Sequence, residues 1–96
     1  MLQQRLVPRG LYFLEEPETP LSPTRVLALL ALLGERVTEG GQFVIATHSP
    51  ILMALPQADI RLLEDGAIAP VAYPDVEHVR ITRAFLDDPE SFLRRL

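Results

Sequence analysis

Two adjacent carboxylates, Glu15 and Glu16, end the apolar stretch Gly10-Leu11-Tyr12-Phe13-Leu14, and Pro17 follows them at once. Leu11 to Leu14 read as a strand buried on both faces, of the kind found inside a parallel sheet. Open α/β sheets place their ligands at the carboxyl ends of such strands. Two acids there suit a division of labour. One organises a hydrated Mg²⁺, and the other orients or deprotonates a water. The plainer alternative is a strand running into an acidic, solvated loop. A second group with chemical potential, His48, sits in Thr47-His48-Ser49-Pro50, behind another apolar, β-branched run.

The elements between these groups decide whether they meet. Ser22-Pro23 gives a helix start, with a hydroxyl at the N-cap and proline where its missing N–H costs nothing. Val26, Leu29, Leu30, Leu33 and Val37 recur at helical spacing. Leu27 and Leu32 lie off that face, so the helix is expected to be covered on two sides, and Gly40-Gly41 ends it. Gln42 to Thr47 form the next strand. Strand, helix, strand predicts a parallel βαβ unit with a right-handed crossover, which carries His48 to the same sheet edge as Glu15 and Glu16.

The remainder reads as supporting structure. Ile51 to Leu55 should form a helical turn or two, closed by Pro56. Asp65-Gly66 is a strong hairpin signal between Asp59–Glu64 and Ala67–Tyr73, with Pro70 marking an edge strand. A helix is expected over Val76 to Leu86, and a short final helix begins at Pro89, with Phe92, Leu93 and Leu96 as its apolar face. Met1 to Arg9 look like an irregular lead-in. The fold class is therefore α/β: a parallel βαβ core, a β-hairpin and C-terminal helices.

Bulk properties bound the function. The 96 residues suit one small domain or part of a larger one, and 48% hydrophobic with 23% charged is a globular composition. A net charge of −4 argues against sequence-independent nucleic-acid binding. Arg80, Arg83, Arg94 and Arg95 read first as a solvated face, with a phosphate or nucleic-acid contact as the lesser reading. His78 reads as a surface or capping histidine. No cysteine is present, which fits a cytoplasmic protein. The longest apolar run, Val26 to Leu33, is far short of the roughly 20 residues that cross a bilayer, so membrane insertion is not expected. All nine basic residues are arginine. A phosphate-cradling glycine loop needs a lysine for the β and γ phosphates, and this chain has none to offer.

Taken in order, Leu11 to Glu18, Leu21-Ser22-Pro23 and Phe43 to Pro50 resemble the carboxyl-terminal half of an ATP-binding-cassette-type ATPase of the P-loop superfamily. The nearest likeness is to small soluble bacterial ATPases related to transporter and DNA-repair cassettes. Tyr73 to Glu90 resembles that group's terminal segment. The resemblance implies ATP and Mg²⁺ as cofactors. It gives Glu15 the Walker B position that holds the metal through water, and Glu16 the part of the catalytic glutamate. Ser22 falls in the D-loop that touches a partner subunit's nucleotide, although it is a helix N-cap on any reading. His48 matches the switch histidine that contacts the γ-phosphate and the attacking water; its plainer alternative is a capping loop.

Two departures qualify the likeness. Glutamate at position 15 replaces the family's usual aspartate, which should weaken Mg²⁺ binding without abolishing it. The phosphate loop and signature loop have no counterpart in these residues, so a missing N-terminal half or second subunit is the implied partner, in a homodimer or a heterologous pair. The strand Phe43 to Thr47 would then carry an unpaired apolar edge. The competing reading is a truncated, non-catalytic remnant that acts as a protein-interaction module.

Overall fold

A computed structural model describes residues 10–96. The expected lead-in, Met1 to Arg9, lies outside the described residues. Two compact units divide between Ala58 and Asp59.

The first unit is the βαβ core. Strand β1 (Leu11–Glu15) pairs in parallel with β2 (Gln42–Ala46), and helix α1 (Pro23–Thr38) connects them. The helix begins as its sequence dictates. The Ser22 hydroxyl accepts from the Arg25 N–H at 3.3 Å, and Pro23 opens the first turn. At the other end Gly40 takes φ +94°. The Gly41 N–H then reaches the Arg36 carbonyl at 2.7 Å, and the Gly40 N–H reaches Val37 at 2.9 Å. This is a Schellman stop, which satisfies carbonyls the helix would otherwise leave open. The chain is thereby delivered into β2 one residue later.

Val26, Leu29 and Leu33 point from α1 into a core shared with Leu52, which lies on a 3₁₀ turn (Leu52–Ala54). Leu14, Phe43 and Ile45 pack against this cluster from the sheet. Tyr12 and Phe43, opposite each other in the ladder, stack with ring centroids 5.5 Å apart.

The strands alternate, and this corrects the sequence expectation. Tyr12 and Leu14 are half-buried, whereas Leu11 and Phe13 are 56% and 72% exposed; Val44 on β2 is 56% exposed. β1 is thus covered on one face, not two. Likewise α1 is covered on one side, since Leu27 and Val37 stay exposed. The reason is physical: among the described residues of this unit, one helix and one 3₁₀ turn supply a single covering layer. Among the described residues β2 pairs only with β1, so its other edge carries no strand.

The second unit begins with an antiparallel hairpin, β3 (Arg61–Glu64) with β4 (Ala67–Pro70). Asp65 and Gly66 turn it with φ of +52° and +77°, the two positive values of a type I′ turn. Both strands are shorter than their sequence suggests and exposed throughout. A 3₁₀ turn (Tyr73–Asp75) leads to α2 (Glu77–Asp87), and α3 (Pro89–Leu93) follows with the Asp88 carboxylate accepting from the Ser91 N–H. Phe85 meets Phe92 edge to face. Leu93 and Leu96, expected to share an apolar packing face with Phe92, are exposed. Among the described residues no helix is long and apolar enough to cross a membrane. The architecture is α/β, as the sequence predicts.

Candidate functional site

The parallel register, Leu11↔Gln42 through Glu15↔Ala46, brings both strands out at the same sheet edge. The Glu16 N–H donates to the Ala46 carbonyl at 2.7 Å, so the ladder continues one bond beyond β1. Glu16 itself has φ +43°, in the left-handed region. For a residue with a Cβ that conformation costs roughly 1–2 kcal/mol. Flanking hydrogen bonds hold it there: the Glu16 carbonyl accepts from Thr19 N–H at 3.1 Å, and that of Glu18 from Leu21 N–H at 2.9 Å. Backbone strain sustained in this way is characteristic of functional loops.

The consequence is that the two neighbouring acids part. Glu15 remains in the strand, on the exposed sheet face, opposite Ala46. Glu16 leaves the sheet and meets His48, with Oε1 3.9 Å from Nδ1. That separation is too long for a direct hydrogen bond. Both side chains are well exposed, 50% for Glu16 and 68% for His48, so their attraction contributes little to stability.

Ser22, expected at a partner's nucleotide, commits its side-chain oxygen to the α1 N-terminus. The expected metal residue, Glu15, stands without a cage: among the described residues no three His, Cys, Asp or Glu side chains gather to hold a metal. A single carboxylate nevertheless suits Mg²⁺, which keeps several waters and takes further oxygens from substrate phosphates. The donor set fits a hydrated, nucleotide-borne Mg²⁺ and does not fit an all-protein site.

Three residues contribute more than their sequence context suggests. The Thr47 hydroxyl accepts from the Ser49 N–H at 3.0 Å, spanning His48. The Ser49 hydroxyl accepts from Ile51 and Leu52 N–H, both at 3.2 Å, which caps the 3₁₀ turn. Hydroxyls two and three residues ahead of a turn are the signal for such bonds. Glu18 is the third: it turns one carboxylate oxygen, Oε1, away from solvent with no partner among the described residues.

Residues 1–54 match a family model described as an AAA domain, putative AbiEii toxin, type IV TA system. The chain belongs to this AAA-domain family. The match takes in Glu15, Glu16, Ser22 and His48, and ends with the 3₁₀ turn at Ala54. Membership gives the AAA-family chain a P-loop-NTPase-like relationship, within which ATP and Mg²⁺ dependence is general. Comparison with curated proteins and with solved structures gives no match.

Proposed function

We propose that this AAA-family chain supplies the water-activating and γ-phosphate-contacting part of an ATP-hydrolysing site of the ATP-binding-cassette type. The observation that carries this reading is the meeting of Glu16 and His48 at the shared carboxyl edge of β1 and β2. Two atoms 3.9 Å apart accommodate one water at about 2.8 Å from each. Glu16 takes the proton of that water as its oxygen attacks the γ-phosphorus. The bond from phosphorus to the β,γ-bridging oxygen breaks, and ADP leaves. His48 steadies the water and a γ-phosphate oxygen. Such catalysis is mostly positioning and charge stabilisation. Glu15 would hold Mg²⁺, whose charge neutralises phosphate oxygens when bound. Ser22 would face the nucleotide of a second subunit.

The chain has no lysine for a phosphate loop. On this proposal it is a half-site, completed by a polypeptide that carries one, in a dimer that sandwiches nucleotide. The test is Mg²⁺-ATP binding and turnover by the 96-residue chain alone, beside Glu16→Gln. Neither protein should turn over ATP. Turnover present in the parent and absent in the variant would refute the half-site reading. The second reading, a non-catalytic interaction module, draws on the exposed apolar face made by Leu11, Phe13 and Val44.

A further inference from the structure

We infer that Thr47 is a positioning residue for His48, and that Ser49 ties this positioning to the hydrophobic core. The inference rests on the reading that Glu16 and His48 act as a pair. His48 lies just beyond the end of β2, and its side chain is 68% exposed. Its backbone, by contrast, is fastened on both sides. The Thr47 hydroxyl accepts from the Ser49 N–H and closes a small ring around His48. The Ser49 hydroxyl accepts from the Ile51 and Leu52 N–H groups, and its carbonyl accepts from Met53 N–H at 3.1 Å. Leu52 is buried in one core cluster with Val26, Leu29 and Leu33. Orientation therefore passes from a buried leucine through Ser49 and Thr47 to His48. On the facing side, the Glu16 N–H bond to Ala46 fixes the partner acid to the strand that leads into Thr47.

This arrangement gives the two hydroxyls different weights. Removing that of Ser49 frees two N–H groups of the turn and disturbs the core contact of Leu52. Removing that of Thr47 releases only the ring around His48. Thr47→Val keeps size and β-branching while deleting the acceptor. Losing one such hydrogen bond should lower the population of the paired Glu16–His48 conformer about five-fold.

The experiment is NMR on the full 96-residue chain, reading the His48 imidazole shifts with and without Glu16→Gln. In the parent chain, Glu16→Gln should move those shifts. In the Thr47→Val background the response should largely vanish, while Leu29, Leu33 and Leu52 methyl shifts stay in place; Thr47→Ser should restore it. An undiminished response in Thr47→Val overturns the positioning role and leaves the pair intact. Loss of the response in Thr47→Ser as well as Thr47→Val also overturns it, because the hydroxyl is then not what matters. No response in the parent chain removes the pair itself, and the inference with it. None of these outcomes depends on turnover, so failure of the ATPase reading is scored separately.

Discussion

The described residues form two sheets of two strands each, and these are stabilised in opposite ways. β1 and β2 are parallel, distant in sequence, and joined through a helix that buries one of their faces. β3 and β4 are antiparallel neighbours joined by two residues, and neither has a buried position. The first sheet depends on packing by α1, and the second on its turn. Only the first presents side chains of catalytic type at a common edge, because only parallel strands release both chains at the same end. A parallel pair needs a long crossover and a core behind it. The hairpin needs neither and has no comparable site.

Mutations that act on one sheet and spare the other test this contrast. Leu33→Ala should be the most damaging, since Leu33 is 1% exposed and lies under the sheet. A loss of about 2–5 kcal/mol is expected in chemical denaturation, with the β1–β2 unit melting and the hairpin resonances surviving. Phe13→Ala on the open face of the same sheet should change stability by about 0.5 kcal/mol or less. Equal costs for the two would mean that both faces are covered.

Gly66→Ala acts on the other sheet. Nothing lies within 4 Å of an added Cβ, so its whole effect is the φ of +77°. Hairpin population should fall by the equivalent of roughly 1–2 kcal/mol, read from cross-strand NOEs between Leu63 and Ile68, while the β1–β2 unit is unchanged.

Smallest of all is Asp59→Asn beside β3. The Arg61 guanidinium, bonded to Asp59 at 2.9 Å and 3.0 Å, holds that carboxyl below its ordinary range. A folded-state pKa depressed in this way contributes stability above the unfolded value, lost as pH falls through the folded one. Asp59→Asn should therefore have its largest, still small, cost at neutral pH, where that contribution is complete, and none in acid, so that the hairpin's acid response below about pH 4 flattens.

Much of this architecture is written in short local signals. Ser22-Pro23 and Gly40-Gly41 mark the ends of α1, and Asp65-Gly66 marks the hairpin, because each places a residue where only its type is cheap. The coincidence of Glu16 and His48 at one edge also follows from sequence, once the crossover forces parallel strands. What does not follow is how many layers cover those strands. Leu11 to Leu14 form an unbroken apolar run, yet alternation in the structure leaves Leu11 and Phe13 exposed, since a run of apolar residues cannot report what packs against it. The left-handed φ of Glu16 is equally hidden, because glutamate has no preference for that region and is held there by hydrogen bonds to Ala46 and Thr19. The service of Thr47 and Ser49 shows in the sequence only as hydroxyls placed just ahead of a turn, and which N–H groups they accept from follows from the structure.

The most direct test of the central claim is Mg²⁺-ATP turnover by the chain after completion with a phosphate-loop-bearing half, compared with the same assembly carrying Glu16→Gln. Turnover that appears on completion and falls by about 10²–10⁴-fold in the variant is the predicted result, the range expected for losing a general base. An assembly whose turnover is unchanged by Glu16→Gln would contradict the assignment of water activation to the carboxyl edge of β1 and β2.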